Sequence, residues 1–313
     1  MGKANRKLQL FRSYRKNIEL LCENPNYKRD VLQDIVICPI CFHTFRESDV
    51  KKSDERNYLT IEHVPPKYLG GKTEILTCFK CNNLFSEFDK ELDHISLKRN
   101  SKVYNWRAKV QSGADRFGAM TQFDFEKNEL QLKFGNNEDL LKFIESIRGE
   151  NEFKFEVKDK TKAVGVNILK MAYLLAFHKF GYGLIMQPQY NFIREQIKNP
   201  YQNVLDNYGL IYFNETGTAL PEGIFLVKEP SNLISLMVRF KVVKKDGTPS
   251  MYSVHLPSPG VNVVEFYKKL TSVYQGTKYL VTDFANVDYW HDRNFIYAPI
   301  LEIDRYLKFL GGA

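Results

Sequence analysis

The chain has 313 residues, 43% of them hydrophobic and 14% aromatic, enough for two packed cores and too much for a disordered tail. Its formal net charge of +8 favours a polyanionic partner. The longest apolar run, Met171 to Phe177, falls far short of the ~20 residues that span a bilayer, and no apolar segment follows the Lys/Arg-rich start, so a cytoplasmic protein with reduced thiols and no membrane partner is expected.

Residues 1–37 read as a helical lead-in with an apolar stripe at Leu8, Leu10, Phe11, Ile18, Leu20 and Leu21. Residues 1–30 hold eight Lys/Arg against three acids, so Arg12, Arg15 and Lys16 are candidate phosphate contacts, with a solvated helix face as the alternative. Leu59 to Val64 has strand character, Pro65-Pro66 stops it, and Gly70-Gly71 supplies a turn. Apolar positions Leu84, Phe85, Phe88, Leu92 and Ile95 then recur at helical spacing. Strands are expected at Lys102–Val110, Ala119–Phe125 and Glu129–Phe134, with a turn at Lys127-Asn128 and a helix over Leu140–Arg148 begun by Asn137-Glu138-Asp139. Thr161–Phe180 is apolar on most sides and reads as a buried helix; Asn191–Lys198 is a shorter one. The remainder is strand-rich: Gly209–Phe213, Gly223–Val227, a hairpin of Ile234–Val243 with Met251–Leu256, and Tyr279–Phe284 after a helix at Val261–Tyr274. The expected organisation is α+β in two domains, residues 1–100 and 101–313, the second of unassigned function.

Four of the five cysteines form two C-x-x-C pairs, Cys38/Cys41 and Cys78/Cys81, separated by 36 residues. Each such turn presents two sulfurs to one ion, and two turns satisfy the tetrahedral preference of zinc. The alternatives are a redox dithiol or plain buried thiols. A site closed by four thiolates leaves no open position, so this zinc would be structural. Between the pairs stands Glu62-His63. A neutral imidazole can take a proton from water near pH 7. A carboxylate with an amide oxygen such as that of Asn82 offers hard ligands suited to magnesium or manganese. Neighbours on a strand face opposite ways unless a bulge or the strand end intervenes, and Pro65 lies two residues on.

The run Glu62-His63-Val64-Pro65-Pro66-Lys67, then Gly70-Gly71, then Leu76-Thr77-Cys78-x-x-Cys81-Asn82-Asn83, resembles the HNH endonucleases. These belong to the ββα-metal (His-Me finger) group, in the branch tied by a four-cysteine zinc. The resemblance covers about residues 36–96. It implies that His63 is the general base and that Glu62 and Asn82 hold a catalytic magnesium or manganese ion. It also implies a support role at Thr73, nine residues before Asn82, where the family carries asparagine, with Asn83 as a second support residue and Lys67 as a nucleic-acid contact beside Arg12, Arg15 and Lys16. A threonine hydroxyl makes fewer of the bracing bonds. Glutamate stands where aspartate is more frequent, and Asn82 is a weaker ligand than histidine.

The resemblance implies a metal-dependent endonuclease acting on DNA, with RNA left open, in restriction or anti-phage defence. One site cuts one strand, so a double-strand break calls for a homodimer or two events, and a regulatory protein partner stays open. The rival is a non-catalytic zinc-stabilised module binding nucleic acid or a partner. Asp93-His94 repeats the acid–histidine pair on the following helix. His43 could replace a cysteine, His178 lies in the apolar helix, and Trp290-His291-Asp292-Arg293 could meet a partner.

Overall fold

Helix α1 (Lys3–Cys22) forms because Phe11, Tyr14, Ile18 and Leu21 recur every three or four residues, and all four are buried. The structure, a computed structural model, describes residues 3–23, 34–51, 57–94, 103–112, 115–124, 129–148, 154–157, 161–202, 204–205, 212–213, 221–229, 234–243, 247, 249–258, 261–273, 280–283 and 289–291. Strands β1 (Ile35–Ile37) and β2 (Thr44–Arg46) make a short antiparallel hairpin whose turn carries the first cysteine pair. A second hairpin, β3 (Leu59–Val64) with β4 (Thr73–Cys78), pairs without a bulge from Leu59↔Cys78 to Val64↔Thr73. Helices α2 (Phe79–Asn83) and α3 (Ser86–His94) follow it directly.

The chain divides into two compact units, residues 1–87 with 165–313, and residues 88–164. This differs from the sequential division at residue 100, because the chain beyond residue 165 returns to pack on the cysteine segment. In the smaller unit, β5 (Val103–Ser112), β6 (Asp115–Asp124), β7 (Glu129–Phe134) and β8 (Lys154–Val157) form an antiparallel sheet in the order β7-β6-β5-β8. Helix α4 (Asn137–Ile147) begins one residue after its cap: the Asn136 side chain accepts from the Asp139 N–H at 2.7 Å. Phe143 of α4 packs with Phe134, ring centroids 5.1 Å apart.

In the larger unit, α5 (Thr161–Phe180) is buried over most of its circumference, as its apolar composition requires. Each side chain such as Leu174 or Phe177 contributes about 1.5–3 kcal/mol by leaving water. Helices α6 (Tyr182–Ile185) and α7 (Gln189–Lys198) continue from it. Strands β9 (Tyr212–Phe213), β10 (Gly223–Glu229), β11 (Ser235–Val243), β12 (Pro249–Pro257) and β13 (Leu280–Asp283) form an antiparallel sheet ordered β13-β10-β11-β12-β9, with α8 (Val263–Val273) between the last two in chain order. The architecture is mixed α+β. Among the described residues no helix is long and apolar enough to cross a membrane. The expected turn at Lys127-Asn128 lies outside the described residues.

Tyr14 ties α1 to this unit twice. Its hydroxyl accepts from the Leu76 N–H of β4 at 2.9 Å, and its ring meets those of Phe177 and Trp290 at 5.2 and 5.1 Å. Trp290 clamps the N-terminal helix to this part of the chain: Asn17 donates to its carbonyl at 2.9 Å, and its indole donates to the His178 carbonyl at 2.5 Å. Asp292 and Arg293 lie outside the described residues.

Candidate functional site

The two C-x-x-C turns converge. The four sulfurs of Cys38, Cys41, Cys78 and Cys81 lie within 4.8 Å of one another, and Cys41 Sγ is 3.8 Å from Cys78 Sγ. A disulfide would bring a pair to about 2.05 Å. A tetrahedral ion with bonds of about 2.3 Å sets its sulfurs about 3.8 Å apart. The first turn closes through Phe42 N–H to Cys38 O at 3.0 Å and Cys38 N–H to His43 O at 2.9 Å, with Phe42 at φ +60°. That left-handed conformation costs a phenylalanine about 1–3 kcal/mol, and the Arg194 guanidinium, 3.6 Å above the ring, helps hold it. The second turn caps α2, with Cys81 N–H directed at Cys78 Sγ and Cys78 N–H at Cys38 Sγ, both at 3.4 Å.

Hydroxyls from the later half of the chain brace the first turn: Tyr173 donates to Pro39 O at 2.5 Å, and Tyr182 to Ile37 O. Burial pushes the Cys38 thiol up, while hydrogen bonding from Cys38 holds the Cys41 thiol well below its usual range. Four crowded thiols of this kind cannot all ionise without a cation to compensate them. The donor set, the spacing and the N–H···S bonds fit a four-coordinate soft metal such as zinc, and His43 is exposed and meets the turn through its backbone.

Glu62 and His63 pair with Ile75 and Glu74 in unbroken register, so their side chains leave β3 on opposite faces. Glu62 is 8% exposed. Its Oε1 lies 2.5 Å from Lys170 Nζ, and its Oε2 accepts from the Thr77 hydroxyl at 3.0 Å. On the same side Asn82 donates to Thr60 Oγ1 at 3.0 Å, and Thr60 in turn donates to the Thr77 carbonyl at 3.3 Å. Glu62 and Asn82 thus belong to one buried polar network, with Lys170 of α5 supplying its positive charge. On the other face, half-buried His63 has its Nε2 3.6 Å from Glu74 Oε1, and Glu74 is also held by Arg6 at 2.6 Å.

The two-stranded hairpin leaves the outer edge of β3 unpaired by any described strand. Carbonyls of that edge are met by cations and amides: Leu59 O accepts from Lys7 Nζ at 3.0 Å, and Ile61 O from Asn82 Nδ2 at 3.4 Å. A group lying along this edge has Glu62 and Asn82 to one side and His63 to the other. Thr73 closes the far end of the hairpin opposite Val64, and Asn83 is exposed.

The remaining expected contacts separate. Arg12 and Lys16 are exposed on α1, whereas Arg15 is paired with Asp34 at 2.9 Å and Glu19 at 3.1 Å. Lys67 is exposed in the loop joining β3 to β4. The side chains of Asp93 and His94 lie outside the described residues. Sequence reasoning missed Lys170, Thr60, Thr77 and Glu74. Lys170 carried a signal, a lone charge midway along an otherwise apolar helix; Glu74 carried none without the hairpin register. Comparison of the chain with family models, with curated proteins and with solved structures finds no match.

Proposed function

We propose that this protein is a metal-dependent endonuclease of the HNH kind, stabilised by a four-thiolate zinc and acting on DNA in restriction or anti-phage defence. The observation that carries the proposal is local order. A hairpin bearing Glu62-His63 runs directly into a helix bearing Asn82, beside four converging cysteines. The outer edge of β3, which no described strand pairs, is where a phosphodiester would lie, with His63 on one face and the Glu62–Asn82 network on the other. His63, half-buried with Nε2 toward the Glu74 carboxylate, would take the proton of the attacking water at Nδ1 while Glu74 orients the ring. Glu62 and Asn82 present oxygen donors of the type that hold magnesium or manganese, which would neutralise charge on the scissile phosphate. Occupancy there requires the Glu62–Lys170 pair to part, because one carboxylate oxygen already meets the ammonium.

That pair also favours a second reading. With Glu62 neutralised and buried, the hairpin would be a rigid binding module with no catalytic ion. The test is whether purified protein nicks a supercoiled plasmid with magnesium or manganese and stops when the ion is chelated. Nicking that needs the ion establishes the nuclease; its absence under every divalent ion leaves the binding module.

A further inference from the structure

A cleft of about 1080 Å³ opens beside the loop that joins β3 to β4. Its lining brings five basic residues from three separate stretches of chain together: Lys67 and Lys72 of the loop, Lys179 at the end of α5, and Arg239 and Lys241 of β11. Glu222 is the one acid among the lining residues, and the Lys241 N–H donates to it at 3.3 Å. Five cations against one carboxylate leave the lining net positive, which favours an anionic ligand.

The walls are fixed. Gly70 lies at φ +86°, and a Cβ there would meet Val243 Cγ2 of β11 at 3.1 Å, so the loop sits tightly against the sheet. Arg239 is 7% exposed and held by the sheet, donating from Nη1 to Ser253 Oγ at 2.8 Å. Gly223 stands opposite Arg239 in the ladder and leaves the floor without a side chain there. The lining also holds apolar and aromatic residues, with Tyr68 47% exposed and Ile224 and Val243 partly so.

We infer that this cleft binds a short single strand of nucleic acid, its phosphates along the basic residues and its bases against Tyr68 and the apolar lining. A duplex turns its bases inward and would leave the apolar lining unused. A lone mononucleotide would occupy only part of a volume at the upper end of the ~300–1,000 Å³ usual for small-ligand sites. A positively charged groove combined with aromatic surface is the chemistry that holds single strands without reading sequence. The inference rests on the endonuclease reading only for what then happens to the strand; the cleft's charge and shape stand apart from it.

The experiment is fluorescence anisotropy on the full chain with a dye-labelled DNA strand of about twelve nucleotides, an RNA of the same sequence, and the blunt DNA duplex, each across a salt series. The variant is Lys72→Gln with Lys241→Gln, two exposed residues outside the hairpin network. Losing two phosphate contacts lowers the slope of log K against log salt by about 1.4 and the affinity at about 0.1 M salt by about 25-fold. Zinc content and circular dichroism should match the parent. If the double variant loses either, Lys67→Gln replaces it, with an expected loss of about 5-fold. A stronger loss on DNA or on RNA identifies the sugar the cleft accepts. Unchanged affinity and slope in a folded variant overturn the inference, as does duplex binding as tight as the single strand. Plasmid nicking together with an unchanged slope would remove the cleft while leaving the nuclease reading in place.

Discussion

Replacing Lys170 by methionine keeps the unbranched apolar stem, one atom shorter, and removes the ammonium that lies 2.5 Å from Glu62 Oε1. The two side chains are 3% and 9% exposed, so water cannot screen the carboxylate left behind. Breaking a buried pair by removing one partner costs about 3–5 kcal/mol. The Thr77 hydroxyl bond to Oε2 is present in parent and variant alike and so offsets none of this loss. The assay is urea unfolding followed by far-ultraviolet circular dichroism, with zinc present throughout. Lys170→Met should unfold at clearly lower urea. Lys170→Met combined with Glu62→Gln should recover at least half of the loss, because the double variant buries no net charge. Excess manganese should stabilise the single variant more than the parent, since Glu62 then lacks its resident cation. A Lys170→Met protein within about 1 kcal/mol of the parent, with no recovery in the double variant, would refute the account of the network.

Purified protein should hold about one zinc per chain, and Cys78→Ser should lose it together with much of the stability of the larger unit, as read by metal analysis and thermal melting. Burial lowers the His255 imidazole from 6.5 to about 4, so it folds neutral. Its contribution is complete above pH 6.5 and is lost as the pH falls toward 4, by about 3 kcal/mol at pH 4. His255→Gln, measured against the parent at both ends of that range, should narrow the difference in urea stability; an equal pH dependence in the two proteins would contradict the assignment. A Cβ at Gly71 would fall 1.6 Å from the Pro65 carbonyl oxygen, so Gly71→Ala should cost about 1–3 kcal/mol or more, as the backbone must shift. Stability equal to the parent would show that the loop yields freely.

The cysteine pairs, the β3 strand and the apolar helix α5 could be read from spacing and composition because each is a local pattern. The longer strands and helices of both units followed the same rule, with ends displaced by a few residues. Short strands escaped: β1 and β2 are three residues each and lie against the cysteine turn, where no alternation has room to develop. The division into units escaped for a different reason. Tyr173 and Tyr182 reach back across more than a hundred residues to the carbonyls of Pro39 and Ile37, and no periodicity announces such a return. At the candidate site, residue types were legible and their partners were not. Glu62 was expected beside His63 as a metal ligand; the regular register sends it to the opposite face, where Lys170 meets it.

The central claim is that His63 acts on water at the open edge of β3. Its most direct test is His63→Ala compared with the parent in plasmid nicking with magnesium or manganese, with zinc content and DNA affinity measured on the same preparations. The half-buried imidazole faces Glu74, on the side of β3 opposite Glu62, so zinc and binding should stay at parent levels while nicking is lost. A His63→Ala protein that nicks as fast as the parent would contradict the claim.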